Sequence, residues 1–410
     1  MTPTAAATTA DIGMFTEEAR AWLREHARLR RAPEPYAWGE GPDSVALFHN
    51  LSADEERAHL DAARAWQRQK SDAGYGSITW PVEYGGAGLP PAYEAAYRRE
   101  EARFETPKGH EAISITLELI APTILALGTT EQKDRYLRAM RRTDEMWCQL
   151  FSEPGAGSDL ASLACRAVAD GGRWVLNGQK VWTSGAQYAD FGYILCRTDP
   201  HAPKHRGITA FLIPMDAPGI EVRPLRQMSG GASFNEVFLT DVVVPDNARL
   251  GDVNDGWRVA LTTLGFERAA RSGGTGGADM FGRLLDLARH LGRTDDPLVR
   301  QRLASVYLHG RLRSMNRRRA GARLRAGGVP GPEGSISKLM LTQGLQEVAD
   351  TAALLLGPRL AADTGQWGTY AWSEFVNGTP GFRIAGGSDE IQRNIIAERA
   401  LGLPREADGR

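Results

Sequence analysis

The stretch Gln149-Leu150-Phe151-Ser152-Glu153-Pro154-Gly155-Ala156-Gly157-Ser158-Asp159 decides how the rest of the chain is read. It opens as a short apolar run, which reads as a buried strand. It then breaks into Glu-Pro-Gly-Ala-Gly-Ser-Asp, which continues neither a strand nor a helix. Proline removes a backbone donor and fixes one dihedral. The two glycines open conformations that other residues avoid. Ser158 and Asp159 add short polar groups that bond readily to nearby backbone. The product is a loop of exposed N–H and hydroxyl groups fixed to a strand end, either a plain turn or a grip for a polar ligand. It is not the G-x-G-x-x-G nucleotide fingerprint, and no helix-opening phosphate loop follows it.

Upstream of this stretch the apolar residues recur at helical spacing. Phe15, Ala19, Trp22, Leu23 and Ala27 predict a helix over 15–31, with Thr16 as its cap. A Pro/Gly-rich linker follows at 32–42, then a helix over 53–73 capped by Ser52. Residues 74–89 hold too many glycines for an element and too many aromatics for a solvated loop, so they are expected to pack over a core. Helices are expected over 91–104, 113–127 and 131–140, the last capped by Thr130. From Glu145 the pattern turns to short alternating or β-branched runs. Residues 166–169 and 174–176 flank Asp170-Gly171-Gly172-Arg173, a hairpin signal. Further strands are expected at 192–197, 209–214, 220–224 and 236–244. Helical spacing returns near Gly256. Leu284, Leu287, Ala288 and Leu291 form one stripe. Leu339, Leu341, Leu345, Val348, Ala349 and Ala352 belong to another helix. A final helix from Ser388 carries Ile391, Ile395, Ile396 and Ala400 on one face before Gly402 and Pro404 stop it. The expectation is an α+β chain of three domains, helical over 1–144, β over 145–252 and a helical bundle over 253–410.

Composition narrows the function classes. The 410 residues are 42% hydrophobic and 24% charged, as in an ordinary globular protein. A formal net charge of −1 argues against nucleic acid as the main partner. No apolar run is long enough to span a membrane. Residues 1–11 are small and polar and read as a disordered tail without a secretory signal. Cys148, Cys165 and Cys196 lack metal-type spacing and read as buried free thiols, which points to the cytoplasm.

Three other stretches draw attention. Residues 311–325 contain Arg311, Arg313, Arg317, Arg318, Arg319, Arg323 and Arg325. They read as a solvated helix face, or as a contact for ligand phosphates or a neighbouring subunit. His201 and His205 are four apart, but Pro203 between them puts both in a loop, so no metal site is expected. Ser272-Gly273-Gly274-Thr275-Gly276-Gly277 lacks the preceding strand and the lysine of a phosphate loop.

Taken with the opening stretch, two more segments complete a pattern: Asn177-Gly178-Gln179-Lys180-Val181-Trp182-Thr183-Ser184-Gly185-Ala186 and Gly386-Gly387-Ser388-Asp389-Glu390-Ile391-Gln392-Arg393-Asn394-Ile395-Ile396-Ala397-Glu398-Arg399. Together they resemble the acyl-CoA dehydrogenase family of flavoenzymes. The resemblance covers essentially the whole chain, including the α–β–α order. It implies an N-terminal helical domain, a central β-barrel or sandwich domain and a C-terminal four-helix bundle, with bound FAD. By this resemblance Gln149, Phe151, Ser152, Gly157 and Ser158 hold the flavin's polar edge, and Ser158 also reaches the acyl-CoA. Trp182, Thr183 and Ser184 lie against the isoalloxazine, although Trp182 taken alone reads equally as core. Gly387, Ser388, Asp389 and Glu390 match the turn and helix start near the flavin's phosphate and ribityl chain, where helix N–H groups suit oxygen ligands.

The implied reaction is α,β-dehydrogenation of an acyl-CoA thioester to the trans-2-enoyl-CoA. A carboxylate takes the α-proton and the β-hydrogen leaves as hydride to flavin N5. Many relatives place the base directly before the glycine matching Gly387, but that position here is Gly386. A branch of the family places it on the first long helix of the C-terminal domain, directly before an arginine. Leu264-Gly265-Phe266-Glu267-Arg268 matches that arrangement. Glu267 is therefore the expected base and Arg268 a candidate CoA contact, with the Gly386 N–H helping to bind the thioester carbonyl. Two segments depart from the family pattern, His290-Leu291-Gly292-Arg293 and Leu354-Leu355-Leu356-Gly357-Pro358, and both fall at the adenosine end of the cofactor. Residues 113–122 line the acyl pocket by resemblance.

The expected partners are acyl-CoA and an electron-transfer flavoprotein, in a cytoplasmic homodimer or homotetramer serving β-oxidation. Two alternatives remain open from the sequence. One is a subunit of a heteromeric dehydrogenase, including those acting on steroid side chains. The other is a flavin oxidase or monooxygenase on the same fold.

Overall fold

The computed structural model describes residues 9–30, 39–40, 43–48, 50–273, 280–325 and 331–405, with backbone alone at 9–10, 268–273 and 324–325. Most of the expected 32–42 linker and of the glycine-rich run at 272–277 lies outside the described residues, as does the tail before Thr9. The chain divides into two compact units. One holds residues 51–225 and 234–264 with the N-terminal segment; the other holds 35–50, 226–233 and 265–410.

In the first unit, helix α1 (Thr9–His26) starts before the expected Thr16 cap. Thr16 lies inside the helix, its hydroxyl donating to the Ile12 carbonyl at 2.6 Å, a back-bond to the preceding turn. A two-residue strand β1 (Arg28–Leu29) follows. Helix α2 (Ala53–Asp72) begins with a full capping box between Ser52 and Glu55. Residues 74–89 do pack over a core: Ile78 is buried and Tyr75 stacks on Tyr97 at 4.9 Å. Gly86 is required there, because a Cβ would overlap the Trp80 carbonyl.

Helix α3 (Pro91–Glu101) leads to strand β2 (Phe104–Glu105), which pairs with β1. The next helical run is not uniform. It passes from α4 (Glu111–Ser114) through a π-helix (Ile115–Ile120) into α5 (Ala121–Leu127). Helix α6 (Thr130–Arg142) is capped by Thr129 and not Thr130, because the Thr129 side chain reaches the Gln132 N–H and Gln132 returns the bond.

The β domain begins with β3 (Trp147–Leu150) and continues through β4 (Arg166–Asp170), β5 (Arg173–Ser184), β6 (Phe191–Arg197), β7 (Ile208–Pro214), β8 (Ile220–Leu225), β9 (Phe234–Pro245) and β10 (Arg249–Leu250). Gly171 and Gly172 both take positive φ, 56° and 85°, which closes the two-residue hairpin between β4 and β5. The sheet order is β10-β7-β6-β4-β5-β9-β8, with β3 parallel to β6. Strands β4 and β6 meet only at Arg166 and Arg197, so the sheet has two wings. Their inner faces share one core that includes Leu150, Ile194, Phe211 and Ile213 from one wing and Trp174, Leu176, Val237 and Val242 from the other. All three cysteines are free and buried.

Helix α7 (Gly256–Gly273) begins in this unit and ends in the second. The second unit is a bundle of α8 (Met280–His290), α9 (Pro297–Arg325), α10 (Glu333–Leu356) and α11 (Ala371–Ile384), followed by α12 (Asp389–Arg399). Its core joins Leu284 and Leu287 to Val299, Leu303, Leu345, Val348, Trp372 and Phe375. The periodicity does not announce α11, because Gly378, Pro380 and Gly381 obscure it; Gly378 and Gly381 let the Phe48 ring lie against the helix. The expected apolar face of α12 is also corrected. Its isoleucines are only half-buried, and its buried residues are Asp389 and Gln392.

Candidate active site

The opening loop is fixed from below by a buried ion pair. Strand β3 ends at Leu150, and the Phe151 ring turns into the core against Tyr193 at 5.0 Å. Glu153 and Ala156 exchange backbone bonds at 3.0 and 3.1 Å, which tightens the turn. The Glu153 carboxylate accepts from the Ala164 N–H at 2.7 Å, the Cys165 N–H at 2.9 Å and the Lys180 ammonium at 2.7 Å. Lys180 also donates to the Phe151 carbonyl at 3.1 Å and is 0% exposed. Every strong partner is thereby satisfied inside the sheet, as a buried charge requires. Pro154, Gly155, Gly157 and Ser158 are left exposed on the outer side, Gln149 and Ser152 part-exposed. Asp159 is committed elsewhere, accepting from the Ser162 hydroxyl and the Lys204 ammonium, which hold its carboxyl below the ordinary range.

Beside this loop, the β5–β9 register slips between Lys180 and Thr183. The bulge puts Trp182 at φ 60°, a region a bulky residue enters only at a cost of about 1–3 kcal/mol. Its side chain is 60% exposed, so the core reading of Trp182 is set aside. A large aromatic face held in strained backbone and offered outward is a surface built to be covered. Next to it, the Thr183 hydroxyl is buried without a hydrogen-bond partner among the described residues, while Ser184 is half-exposed. Asn235 supports the bulge from β9 by donating to the Thr183 carbonyl at 3.0 Å. Exposed loop N–H groups, an outward indole and an orphan hydroxyl fit a flat polar ring system such as a flavin.

In the second unit, Glu267 lies on α7 and is 9% exposed. The side chain of Arg268 lies outside the described residues. The turn before α12 is Gly386 at φ 68° and Gly387 at φ 85°, followed by Ser388 as N-cap, which accepts from the Ile391 N–H. Gln392 donates to both glycine carbonyls at 3.2 Å. Asp389, expected to face the cofactor, points inward instead. It is 1% exposed and accepts from Thr342 at 2.7 Å, Arg383 at 2.9 Å and Lys338 at 3.3 Å. Burial pushes its carboxyl up, but those three donors outweigh it and hold it below the ordinary range. Glu390 is exposed at the helix start.

The two segments that depart from the family pattern meet in space. Leu291 and Arg293 line one cavity of about 500 Å³ together with Leu354, Leu356, Pro358 and Arg359. The sequence reading missed Lys180, Glu153, Gln392 and the Asp389 partners as supports. Lys180 and Glu153 lay inside the quoted motifs, and only burial distinguishes them. No cluster of potential metal ligands occurs among the described residues, and His205 packs its ring on Trp257 at 4.7 Å.

Three family domains match in order: the acyl-CoA dehydrogenase N-terminal domain over 48–144, the middle domain over 148–242 and the C-terminal domain over 254–401. The chain belongs to the acyl-CoA dehydrogenase family. As a member of that family it is an FAD-dependent oxidoreductase acting on acyl-CoA. It is 39% identical to the acyl-CoA dehydrogenase IpdE1 of Mycobacterium tuberculosis over 403 residues, which cover 97% of this chain and 100% of that protein. Among solved structures, the Tcur3481-Tcur3483 steroid ACAD superposes with a TM-score of 0.73 at 27% identity, covering 98% of this chain and 100% of that one. The ChsE4-ChsE5 complex of Mycobacterium tuberculosis gives 0.70 at 28% identity, with 98% and 100% covered. No helix among the described residues of this acyl-CoA dehydrogenase is long and apolar enough to cross a membrane.

Proposed function

We propose that this chain converts an acyl-CoA thioester to the trans-2-enoyl-CoA with Glu267 as the base. One observation carries the assignment. Glu267 is a nearly buried carboxylate on α7, whereas the other position where relatives place the base is Gly386, which carries no carboxylate and sits in left-handed backbone that favours glycine. Gln149, Phe151, Ser152, Gly157 and Ser158 hold the cofactor's polar edge, largely through backbone. Trp182 covers the flat ring, with Thr183 and Ser184 supplying hydroxyls. Gly387, Ser388 and Glu390 present N–H groups at the start of α12 to phosphate and ribityl oxygens. Asp389 acts behind them, fixing the turn. FAD, when bound, supplies the two-electron acceptor for the β-hydrogen. Glu267 removes the α-proton, and the Gly386 N–H steadies the thioester oxygen as charge develops there. Ser158 and Arg268 are assigned to the CoA moiety. Electrons leave to an electron-transfer flavoprotein in the cytoplasm.

Glu267→Gln tests the assignment. The variant is expected to keep its flavin and to lose about 10²–10⁴-fold in the anaerobic bleaching of that flavin by acyl-CoA. Unchanged bleaching refutes it. Rapid reoxidation of the reduced enzyme in air, measured by stopped flow, would instead favour an oxidase.

The second reading is one subunit of a heteromer acting on bulky acyl groups such as steroid side chains. The altered cavity between Arg293 and Pro358 favours it, and two solved neighbours support it, one named as a two-protein steroid ACAD and the other as a two-protein complex. A panel of short, branched, long and steroidal acyl-CoAs, scored by bleaching, separates the substrate classes.

A further inference from the structure

Thr262 and Thr263 are neighbours on α7 and face different ways. The Thr262 hydroxyl donates to the Arg258 carbonyl at 3.0 Å, on the solvent side. Thr263 is buried, as are Thr123 on α5 and Tyr193 on β6. The Thr263 hydroxyl lies 3.0 Å from that of Thr123 and donates to the Tyr193 phenol oxygen at 3.3 Å. Each threonine also reaches a carbonyl one turn back, Thr123 donating to Leu119 at 2.7 Å and Thr263 to Val259 at 3.1 Å. A hydroxyl carries one proton and two lone pairs, so the three groups satisfy one another inside the fold. Burial pushes the Tyr193 phenol up, and the trio carries no charge. Each hydroxyl stands on an element with its own task. Tyr193 lies opposite Gln149 in the parallel β3–β6 pair, and its ring packs edge-on against Phe151. Thr123 sits in the first turn of α5, and its bond to Leu119 reaches back into the π-helix, a local widening frequent at functional sites. Thr263 stands one turn before Glu267, and residues four apart share a helix face.

We propose that Thr263 is a positioning residue for the base: tied to Thr123 and Tyr193, its hydroxyl fixes the rotation and height of α7, and so the place from which Glu267 takes the α-proton. The inference rests on the reading of Glu267 given above. Thr263 acts through the helix and not on the reacting atoms. The neighbouring buried residues of α7, Val259 and Ala260, make apolar contacts, which have no direction and tolerate sliding. Hydrogen bonds weaken steeply once misaligned, so the hydroxyl trio supplies the direction those contacts lack. Rate depends on it, because a reacting group displaced by about 1 Å can lose about 10²-fold. The trio joins α7 to the strand pair that carries the β3 turn and to the helix that follows the π-turn, so one side chain sets the register of α7 against both.

The test compares Thr263→Val with Thr262→Val in the full-length, flavin-loaded enzyme. Each change removes one hydroxyl and its bond to the preceding turn, but only the first also cuts the ties to α5 and β6. The probe is the 3-thia analogue of the acyl-CoA that bleaches wild type fastest in the panel above. Its α-C–H bond can break, the proton passing to the base and the electron pair to the thioester oxygen, but its β-sulfur has no hydride to give. The resulting anion beside oxidised flavin is read by its long-wavelength absorption, by stopped flow for rate and by titration for binding. Thr263→Val is expected to slow proton removal about tenfold or more, with flavin content and the dissociation constant within about twofold of wild type. Thr262→Val should match wild type, and Thr263→Ser, which restores the hydroxyl, should recover most of the rate. Should Thr263→Val fail to fold, Thr123→Val cuts the same tie from α5 and is read the same way. Equal rates in the Thr263→Val and Thr262→Val enzymes overturn the proposal. So does a serine variant as slow as the valine one, or a loss confined to the dissociation constant. Glu267→Gln separates the two readings. If it abolishes the absorption while Thr263→Val leaves the rate unchanged, only the positioning role falls; if the absorption survives it, the base assignment falls and the positioning role with it.

Discussion

The turn after β3 and the turn before α12 solve one problem in two ways. Each holds a glycine-containing turn in a fixed shape at the end of an element. Each does so with a buried carboxylate, Glu153 in one and Asp389 in the other. Glu153 takes two backbone N–H groups and the ammonium of Lys180, which is 0% exposed. Asp389 takes Thr342 and two cations whose side chains reach water, Lys338 at 18% and Arg383 at 46% exposure. The first is a closed, dry pair inside one sheet. The second is an open bridge between α10, α11 and α12. Removing a partner from a dry pair strands a charge, whereas water screens what remains of an open one.

The largest effect is therefore expected at Lys180. Lys180→Met should cost about 3–5 kcal/mol, because Glu153 is left buried with only two N–H donors. It should also release the Phe151 carbonyl and with it the flavin. Thermal unfolding and the flavin content of the purified protein measure both. Lys180→Met/Glu153→Gln should recover part of the stability, since no charge is then stranded. If the double variant is as unstable as the single one, the stranded charge is not the cause.

Asp389→Ala is expected to cost less, about 2–3 kcal/mol in denaturant unfolding, because Lys338 and Arg383 can turn to solvent. Asp389 also predicts a pH dependence. Its folded carboxyl is held below the ordinary value, so the unfolded chain binds the proton more readily. The stability it contributes is complete above about pH 4 and fades as pH falls through the folded value. Asp389→Asn should make the melting temperature fall less steeply with acid below that point. A slope unchanged from wild type would show that the bridge does not sense the charge.

The same contrast explains what the sequence disclosed. The β3 turn and its strand lie within one short contiguous motif, so the turn and the α–β–α order were legible, while the Lys180–Glu153 pair beneath it shows only in burial. The inward course of Asp389 was not, because its partners sit at positions 338, 342 and 383 and no local pattern ties them to it. The helix over 371–384 hid behind Gly378, Pro380 and Gly381, and the two glycines serve the close approach of Phe48 and not helix propensity. The bulge that exposes Trp182 depends on pairing with β9 some fifty residues on, which local periodicity does not report. Arginine-rich α9 could be read from composition, but the exposure of its Leu308, Leu312 and Met315 could not.

The smallest expected effect isolates the backbone of the second turn. Gly387 sits at φ 85°, and a Cβ there would lie 2.6 Å from the Gln392 Nε2. Gly387→Ala should cost about 1–2 kcal/mol for the left-handed conformation, plus about 1 kcal/mol if Gln392 is pushed off the two carbonyls. Gln392→Ala alone removes the same hydrogen bonds without the strain. In the double variant the clash disappears, so the two costs should fall short of adding by about 1 kcal/mol. Denaturant midpoints of the four proteins measure the shortfall. Strict additivity would mean that Gln392 does not clamp the turn, and that Asp389 alone sets the outward course of the N–H groups at the start of α12.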